Sequence, residues 1–412
     1  MNAAIIVIGD EITSGRKIDT NSSYLARELG EIGISVARIV GVGDDIKEAA
    51  GVLREAARDY RLVLVTGGLG PTHDDLTRQA LAEAFGTRLV LDKPTAAYIE
   101  ERFRARGLEA PEAVKAMALV PEGARTLANP VGTAPGLVWV ERGTEIYVLP
   151  GVPSEAKAIF STSVAPELRR RSGRDFIKTR VLRTVGITES EISEKLAKVI
   201  PELKVRLAFL PEATGVDLAL TATAGDEAQT LAALESAVSE IVPLIRDRVY
   251  SLTGEEIHTV VGEMLIEHRK TLAVAESCTG GLVAHLLTEV PGISASLERG
   301  IVAYSNKAKV ETLGVRSDLI AEHGAVSEEV ARAMASGVRE RAATDLGLAT
   351  TGTAGPTGGT ETKPVGLVYL ALAYRGGCEI ARHVLTGGRD LVKRRAAVRA
   401  LDMVRCYLAS RE

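Results

Sequence analysis

The 412-residue chain is 46% apolar and 25% charged, which excludes a disordered or fibrous protein, and its 4% aromatic content means that its cores are built from Ala, Val, Leu and Ile. A net charge of −4 excludes a whole-protein electrostatic footprint for nucleic acid and argues against direct DNA contact. Three widely spaced cysteines, Cys278, Cys378 and Cys406, form no CxxC pair and fit a reducing cytoplasm better than a disulfide framework or a metal cluster.

The length predicts two or three domains. The chain opens on an apolar strand without a basic region or cleavage site, so no signal peptide is expected. No apolar run approaches about 18 residues, so no membrane span is expected.

The first 165 residues alternate apolar runs with helical patterns. Strands are predicted at 3–8, 34–40, 61–65 and 145–149, with helices at 20–30, at 46–59 and from near Thr72 through Phe85. Alternation of this kind predicts a parallel sheet. Residues 166–252 read as a small α+β module, with strands at 181–187, 204–210 and 216–223 and helices at 188–199 and 225–246. A charged stretch, RRRSGRDFIKTR, precedes it. It reads as a linker or polyanion patch on one account and as solvated surface on the other. From 253 to 412 the pattern resets to a third, α/β domain. Helices are predicted at 255–268 and 389–409, and strands at 271–275, 298–304, 346–350, 366–374 and 378–385.

The sharpest front motif is LVLVTGGLGPTHDDLT, 62–77. Gly67, Gly68 and Gly70 allow a tight turn with N–H groups near a ligand, and a helix starting near Thr72 would complete an anion site. Asp74 and Asp75 would then complement the helix dipole, or at least one of them would hold a divalent cation against a phosphate. Glu11 in the loop after the first strand, Asp19 before the first helix and Asp44 after the second strand fall on the same rim, where ligands of open α/β sheets bind. For Asp19 the plainer reading is an N-cap. NPVGTAPG (129–136) and LPGVPSE (149–155) are rigid loops that join this rim or serve as turns.

In the rear domain AVAESCTGGL (273–282) follows a strand and opens a helix. Ser277, Cys278 and Thr279 are candidate nucleophiles, and Gly280 and Gly281 allow close approach of backbone donors to an oxyanion. No histidine stands in a motif to pair with Cys278. Lys309 in VAYSNKAKVETLG (302–314) is the better base, with Tyr304 as relay or orienting group. LATTGTAGPTGGTETKPVG (348–366) reads as a phosphate or ribose cradle, or else as a surface connection. Arg389, Lys393 and Arg394 open the last helix as a phosphate clamp.

These motifs carry a resemblance. TGGLGPTHDDLT, with Gly-Asp-Glu after the first strand and Asn-Pro-x-Gly-Thr-Ala-Pro-Gly later, is similar to MoaB/Mog-like molybdopterin-binding domains. Glu-Ser-Cys-Thr-Gly-Gly, Tyr-Ser-Asn-x-x-Lys, Thr-Gly-x-Ala-Gly-Pro and Lys-Pro-x-Gly resemble the nicotinamide-nucleotide amidohydrolase domain. In this order, from about residue 4 to 405, they resemble the competence/damage-inducible CinA family. The resemblance implies a front domain with ADP-ribose pyrophosphatase activity. It assigns function there to Asp75 and Asp44, and implies a divalent metal (Mg, Mn or Co), for which the candidate ligands are Glu11, Asp19, Asp74 and Asp75. It also implies a rear domain that deamidates nicotinamide mononucleotide without a cofactor. Chemistry there falls to Ser277, Tyr304 and Lys309, and nucleotide binding to the loop around Gly352, Ala354, Gly355 and Pro356. Members read Gly-Asp-Arg-x-x-Val-Arg before the last helix, where this chain has Gly388 and Lys393. Lys keeps the charge and loses the bidentate fork, so weaker substrate affinity is expected. A homodimer is expected by the same analogy. Two alternatives remain open: a front domain that binds a pterin or nucleotide without turnover, and a DNA-uptake or repair adaptor.

Overall fold

The structure, a computed structural model, describes residues 2–171 and 176–410. By its contacts the chain forms two compact units, residues 1–178 with 223–231, and residues 179–222 with 232–412.

The first unit is built on strands β1 (Asn2–Ile8), β2 (Ser35–Val42), β3 (Leu62–Thr66), β4 (Leu89–Leu91), β5 (Leu119–Pro121), β6 (Arg125–Leu127), β7 (Gly136–Glu141) and β8 (Thr144–Leu149). Six of them form one sheet in the order β2-β1-β3-β8-β7-β6, and β4 pairs with β5 separately. β2, β1, β3 and β8 run parallel, as expected, but β7 and β6 are antiparallel. The sheet is therefore mixed. The parallel strands are apolar on both faces because both are covered. Ala4, Ile6, Val63 and Val65 meet helices Ile46–Asp59 and Thr77–Phe85. Ile5, Leu64 and Tyr147 meet Leu25 and Leu29 of helix Thr20–Glu31 and Phe160 of the helical run 153–171.

The last helix of the glycine motif begins at Thr77, not near Thr72. Residues 67–76 are loop, so Asp74 and Asp75 do not occupy a first helical turn and the dipole account of them falls. Of the charged stretch 169–180, residues 172–175 lie outside the described residues. Arg171 is engaged by Glu145 and Glu167.

The second unit holds most of a four-stranded sheet made from β9 (Phe176–Thr184), β10 (Arg206–Pro211), β11 (Val216–Ala224) and β12 (Val249–Ser251), in the order β10-β11-β9-β12. The predicted first strand at 181–187 is displaced toward the N-terminus, because Gly186 takes a positive φ beyond its end. Residues 227–248 form a helix long and apolar enough to cross a membrane by composition alone, although Glu235 and Glu240 interrupt its apolar run. Its Leu234, Val238, Ile241 and Ile245 pack with Leu182, Leu218 and Leu220 in a core, and Glu235 and Glu240 stand on its exposed side, the pattern of a helix laid on a sheet.

The same unit carries β13 (Leu272–Glu276), β14 (Leu297–Val302), β15 (Leu346–Gly352), β16 (Leu367–Tyr374) and β17 (Gly377–Val384) in the order β14-β13-β15-β16-β17. β14, β13 and β15 are parallel, and β16 and β17 antiparallel. The two faces differ in bulk. Leu272, Val274, Leu348, Leu370 and Leu372 pack under helices Ile257–Glu267 and Arg389–Ala409. Ala273, Ala275, Ala349, Ala371 and Ala373 face helix Glu328–Ala342. The alternation follows from the two-residue period of the strand.

Candidate functional sites

The carboxyl ends of β1, β2, β3 and β8 open into a cleft of about 900 Å³. It is lined by Gly9, Glu11, Asp19, Asp44, Gly67, Gly68, Gly70, Thr72, Asp74 and Asp75, and by residues 131–134 and 150–153. The predicted front residues therefore share one site. Gly67 lies at φ +107, and a β-carbon there would stand 2.0 Å from the Ile8 carbonyl oxygen, so only glycine lets the loop cross β1.

The loop is built by two side chains that the motif reading passed over. Thr77 Oγ donates to the Gly67 carbonyl at 2.7 Å. The buried Arg78 guanidinium donates to the carbonyls of Leu69 (2.7 Å) and Gly70 (2.9 Å). Asp75 folds back on its own loop, accepting from Gly70 N (2.8 Å), Thr72 N (2.8 Å) and the Thr72 hydroxyl. Both its oxygens thus help to hold the loop. Asp19 is the N-cap of helix Thr20–Glu31 and accepts from Ser22 N at 2.9 Å, so the plainer reading of it is realised. Asp44 accepts from Asp10 N (2.9 Å) and Asp10 from Asp44 N (3.0 Å), which ties the two acidic loops together. Burial, then the neighbouring acids, raise the Asp44 carboxyl above its usual range. Among the described residues no three His, Cys, Asp or Glu side chains gather as a ready metal cage. The donors that face the cleft are hard oxygens. They suit a magnesium-type ion that takes one or two carboxylates and fills its shell with water and substrate phosphate.

In the second unit β13 ends at Glu276, and Ser277 N donates to the Thr350 carbonyl of β15, which fixes the serine at the sheet's edge. Helix Asn306–Leu313, capped by Ser305, brings in Lys309. The lysine is 1% exposed and Ser277 8% exposed. Lys309 Nζ lies 3.0 Å from Ser277 Oγ, 2.9 Å from the Ala303 carbonyl and 3.3 Å from the Tyr304 carbonyl. Burial pushes the ammonium down from the usual 10.5. The two carbonyls can only accept. A neutral amine gives its two hydrogens to them and turns its lone pair toward the serine hydroxyl.

The other predicted residues divide. Cys278 is buried and its thiol is pushed up to about 12 by that burial, so it is no ready nucleophile. The Thr279 hydroxyl is sealed against that of Thr350 at 2.7 Å. Tyr304 is 59% exposed and its hydroxyl accepts from Arg389 at 2.7 Å; no hydrogen bond joins it to Ser277. It holds Arg389, and only its backbone carbonyl touches Lys309 Nζ. Arg389 also donates to the Gly355 carbonyl at 2.7 Å, tying the loop of Gly352, Ala354, Gly355 and Pro356 to the last helix. Lys393 stands over Gly280: a β-carbon on that glycine would lie 3.7 Å from Nζ. Arg394 pairs with Asp390 at 2.9 Å on the exposed helix surface and does not join the clamp. The Gly281 N–H, expected as an oxyanion donor, is already given to the Glu276 carboxylate at 2.9 Å.

Fold and sites together define a two-unit α/β protein with a glycine-loop cleft in one unit and a lysine-paired serine in the other. Residues 4–170 match the model of a probable molybdopterin binding domain, 179–251 that of the damage-inducible protein CinA KH domain, and 254–408 that of the CinA C-terminal domain. A CinA-like protein of Gemmatimonas aurantiaca is 42% identical over 98% of this chain and 96% of its own. That of Geobacter metallireducens is 42% identical over 100% of both. The solved protein CinA of Thermoplasma acidophilum is 36% identical, covering 40% of this chain and 97% of its own, with a TM-score of 0.38. The chain belongs to the CinA-like family.

Proposed function

We propose that the second unit hydrolyses the carboxamide of nicotinamide mononucleotide to the nicotinate nucleotide and ammonia. The observation that carries this reading is the 3.0 Å approach of a buried lysine amine to the Ser277 hydroxyl. Lys309 takes the hydroxyl proton as Ser277 Oγ bonds to the carboxamide carbon. The C–N bond then breaks, ammonia leaves with that proton, and an ester on Ser277 remains. Water, deprotonated by the same amine, cleaves the ester and restores the serine. Arg389 and Lys393 hold the nucleotide phosphate.

Ammonia release from nicotinamide mononucleotide by the full-length protein, undiminished by EDTA, is the test; no release discards the reading. Lys393→Arg restores a bidentate fork. It is expected to lower KM for this substrate severalfold with little change in kcat, as read from initial rates.

For the first unit we propose a divalent-metal-dependent ADP-ribose pyrophosphatase. It rests on a glycine loop and the acidic groups Glu11, Asp44 and Asp74 around one cleft. The N–H groups of the glycine loop hold the diphosphate, and the Asp44 carboxylate orients a water toward phosphorus. A metal (Mg, Mn or Co) held by Glu11 and Asp74 would neutralise the diphosphate charge. AMP release from ADP-ribose by the full-length chain is expected with a divalent ion and lost in EDTA. Saturable binding without AMP would favour a non-catalytic pterin or nucleotide module. The nucleic-acid adaptor is disfavoured: residues 179–251 contain no GxxG sequence, the loop by which KH domains clamp a nucleic-acid backbone. The reading has a cytoplasmic protein, in keeping with three free cysteines, that forms a homodimer by analogy with its family.

A further inference from the structure

The residue before the nucleophile carries a carboxylate that the chemistry above does not use. Glu276 is 1% exposed. Its Oε2 accepts the N–H groups of Gly281 (2.9 Å) and Val283 (3.1 Å), and its Oε1 that of Ala284 (2.9 Å). A buried carboxylate is tolerated when such charge-assisted bonds satisfy it. Here all three come from the backbone just beyond the nucleophile turn. That turn contains Gly280 at φ +64 and Gly281 at φ +92, two successive left-handed residues with no side chain to hold them. The carboxylate stitches the far end of the turn back to the end of β13. The N–H groups of Thr279 and Gly280 have no acceptor among the described residues.

We propose that Glu276 is a positioning residue that fixes this turn, so that the N–H groups of Thr279 and Gly280 form the oxyanion donor pair for Ser277. The proposal rests on the amidohydrolase reading. As the Ser277 Oγ–carbon bond forms, the carbonyl π electrons move onto oxygen, and the two N–H groups receive that charge. The N–H of Gly281 takes no part, being held by Glu276, and no atom of Glu276 touches substrate. Donors of this kind act on the transition state more than on bound substrate, so their misplacement lowers kcat and spares KM.

The test uses the full-length chain. Glu276→Gln replaces one acceptor oxygen by an NH2 group facing a backbone N–H, so at least one of the three bonds is lost. Its kcat for ammonia release is expected to fall about 10²-fold, with KM within about twofold of the parent. Glu276→Asp keeps the charge on a shorter arm and is expected to fall between the two. An unchanged kcat, or a rise in KM that matches the loss in kcat, overturns the proposal.

A second readout is independent of the substrate. A fluorophosphonate bonds phosphorus to Ser277 Oγ and expels fluoride while Lys309 takes the proton, and its labelling rate needs the same donors for the phosphonyl oxygen. Labelling about 10-fold slower in Glu276→Gln supports the proposal, and equal rates overturn it. If the parent is labelled and yet releases no ammonia, the substrate reading fails by itself, and the labelling ratio alone decides the role of Glu276.

Discussion

Ser277→Ala is expected to abolish ammonia release from nicotinamide mononucleotide, with a loss on the order of 10³–10⁶ in kcat, while AMP release from ADP-ribose and the melting temperature stay near those of the parent. The change removes the hydroxyl of a buried serine, whose side chain hydrogen-bonds to Lys309. The Ala303 and Tyr304 carbonyls continue to hold the lysine, so the fold loses little. Neither neighbour is equipped to take over: the Cys278 thiol is pushed up to about 12, and the Thr279 hydroxyl is bonded to that of Thr350 inside the core. Residual turnover above background in paired assays of the two proteins would move the nucleophile to one of them.

Lys309→Met is expected to produce a comparable loss in kcat and to change how stability depends on pH. In the parent, kcat should rise with pH as the amine loses its proton, with a midpoint below 10.5, because burial favours the neutral form. The sign of the stability effect follows from the same shift. The folded-state value is depressed, so between that value and 10.5 the unfolded chain holds more protons than the folded one, and stability climbs as pH rises. Below that window the penalty of the buried charge is constant. Met matches the length of the lysine without titrating, so the climb should vanish in urea unfolding series at pH 7 to 10.5. The variant also leaves the Ala303 and Tyr304 carbonyls without their donor, a cost of about 1–3 kcal/mol that partly offsets the desolvation relieved. A pH–rate profile unchanged by this substitution would dismiss Lys309 as the base.

Much of this architecture is legible in the chain because buried parallel strands are apolar on both faces: β1, β3, β13 and β15 stand out as runs between turns. The antiparallel strand β7 was not, since Gly136–Glu141 merges with the run that follows unless Arg142-Gly143 is recognised as a hairpin turn, which it makes with positive φ at both residues. Helix Thr77–Phe85 starts later than its sequence pattern predicts for a physical reason too. Asp75 spends its carboxylate on Gly70 and Thr72, and so extends the loop past the point where a cap is expected.

The front cleft was readable because its loops all follow parallel strands. The pairing of Ser277 with Lys309 across 32 positions is not written in any local spacing. Residue chemistry at the strand–helix turn nominates Lys309, with Tyr304 beside it, and the resemblance strengthens the pairing. Glu276 opens the Glu-Ser-Cys-Thr-Gly-Gly motif, but its role is not written there: a glutamate at a strand end reads as surface, and only the folded turn shows its carboxylate enclosed by backbone donors.

The unequal faces of the rear sheet govern which substitutions the second unit tolerates over evolutionary time. On the leucine side, volume can be exchanged among neighbouring large side chains. On the alanine side, the strand residues are already small, and an added carbon has to be matched by a loss across the interface, at Val330, Met334 or Val338 of helix Glu328–Ala342. Sequence drift should therefore be concentrated under helices Ile257–Glu267 and Arg389–Ala409. The alanine side, which also packs Ala303 and Leu313 at either end of the segment carrying Lys309, acts as the fixed datum from which Lys309 is placed.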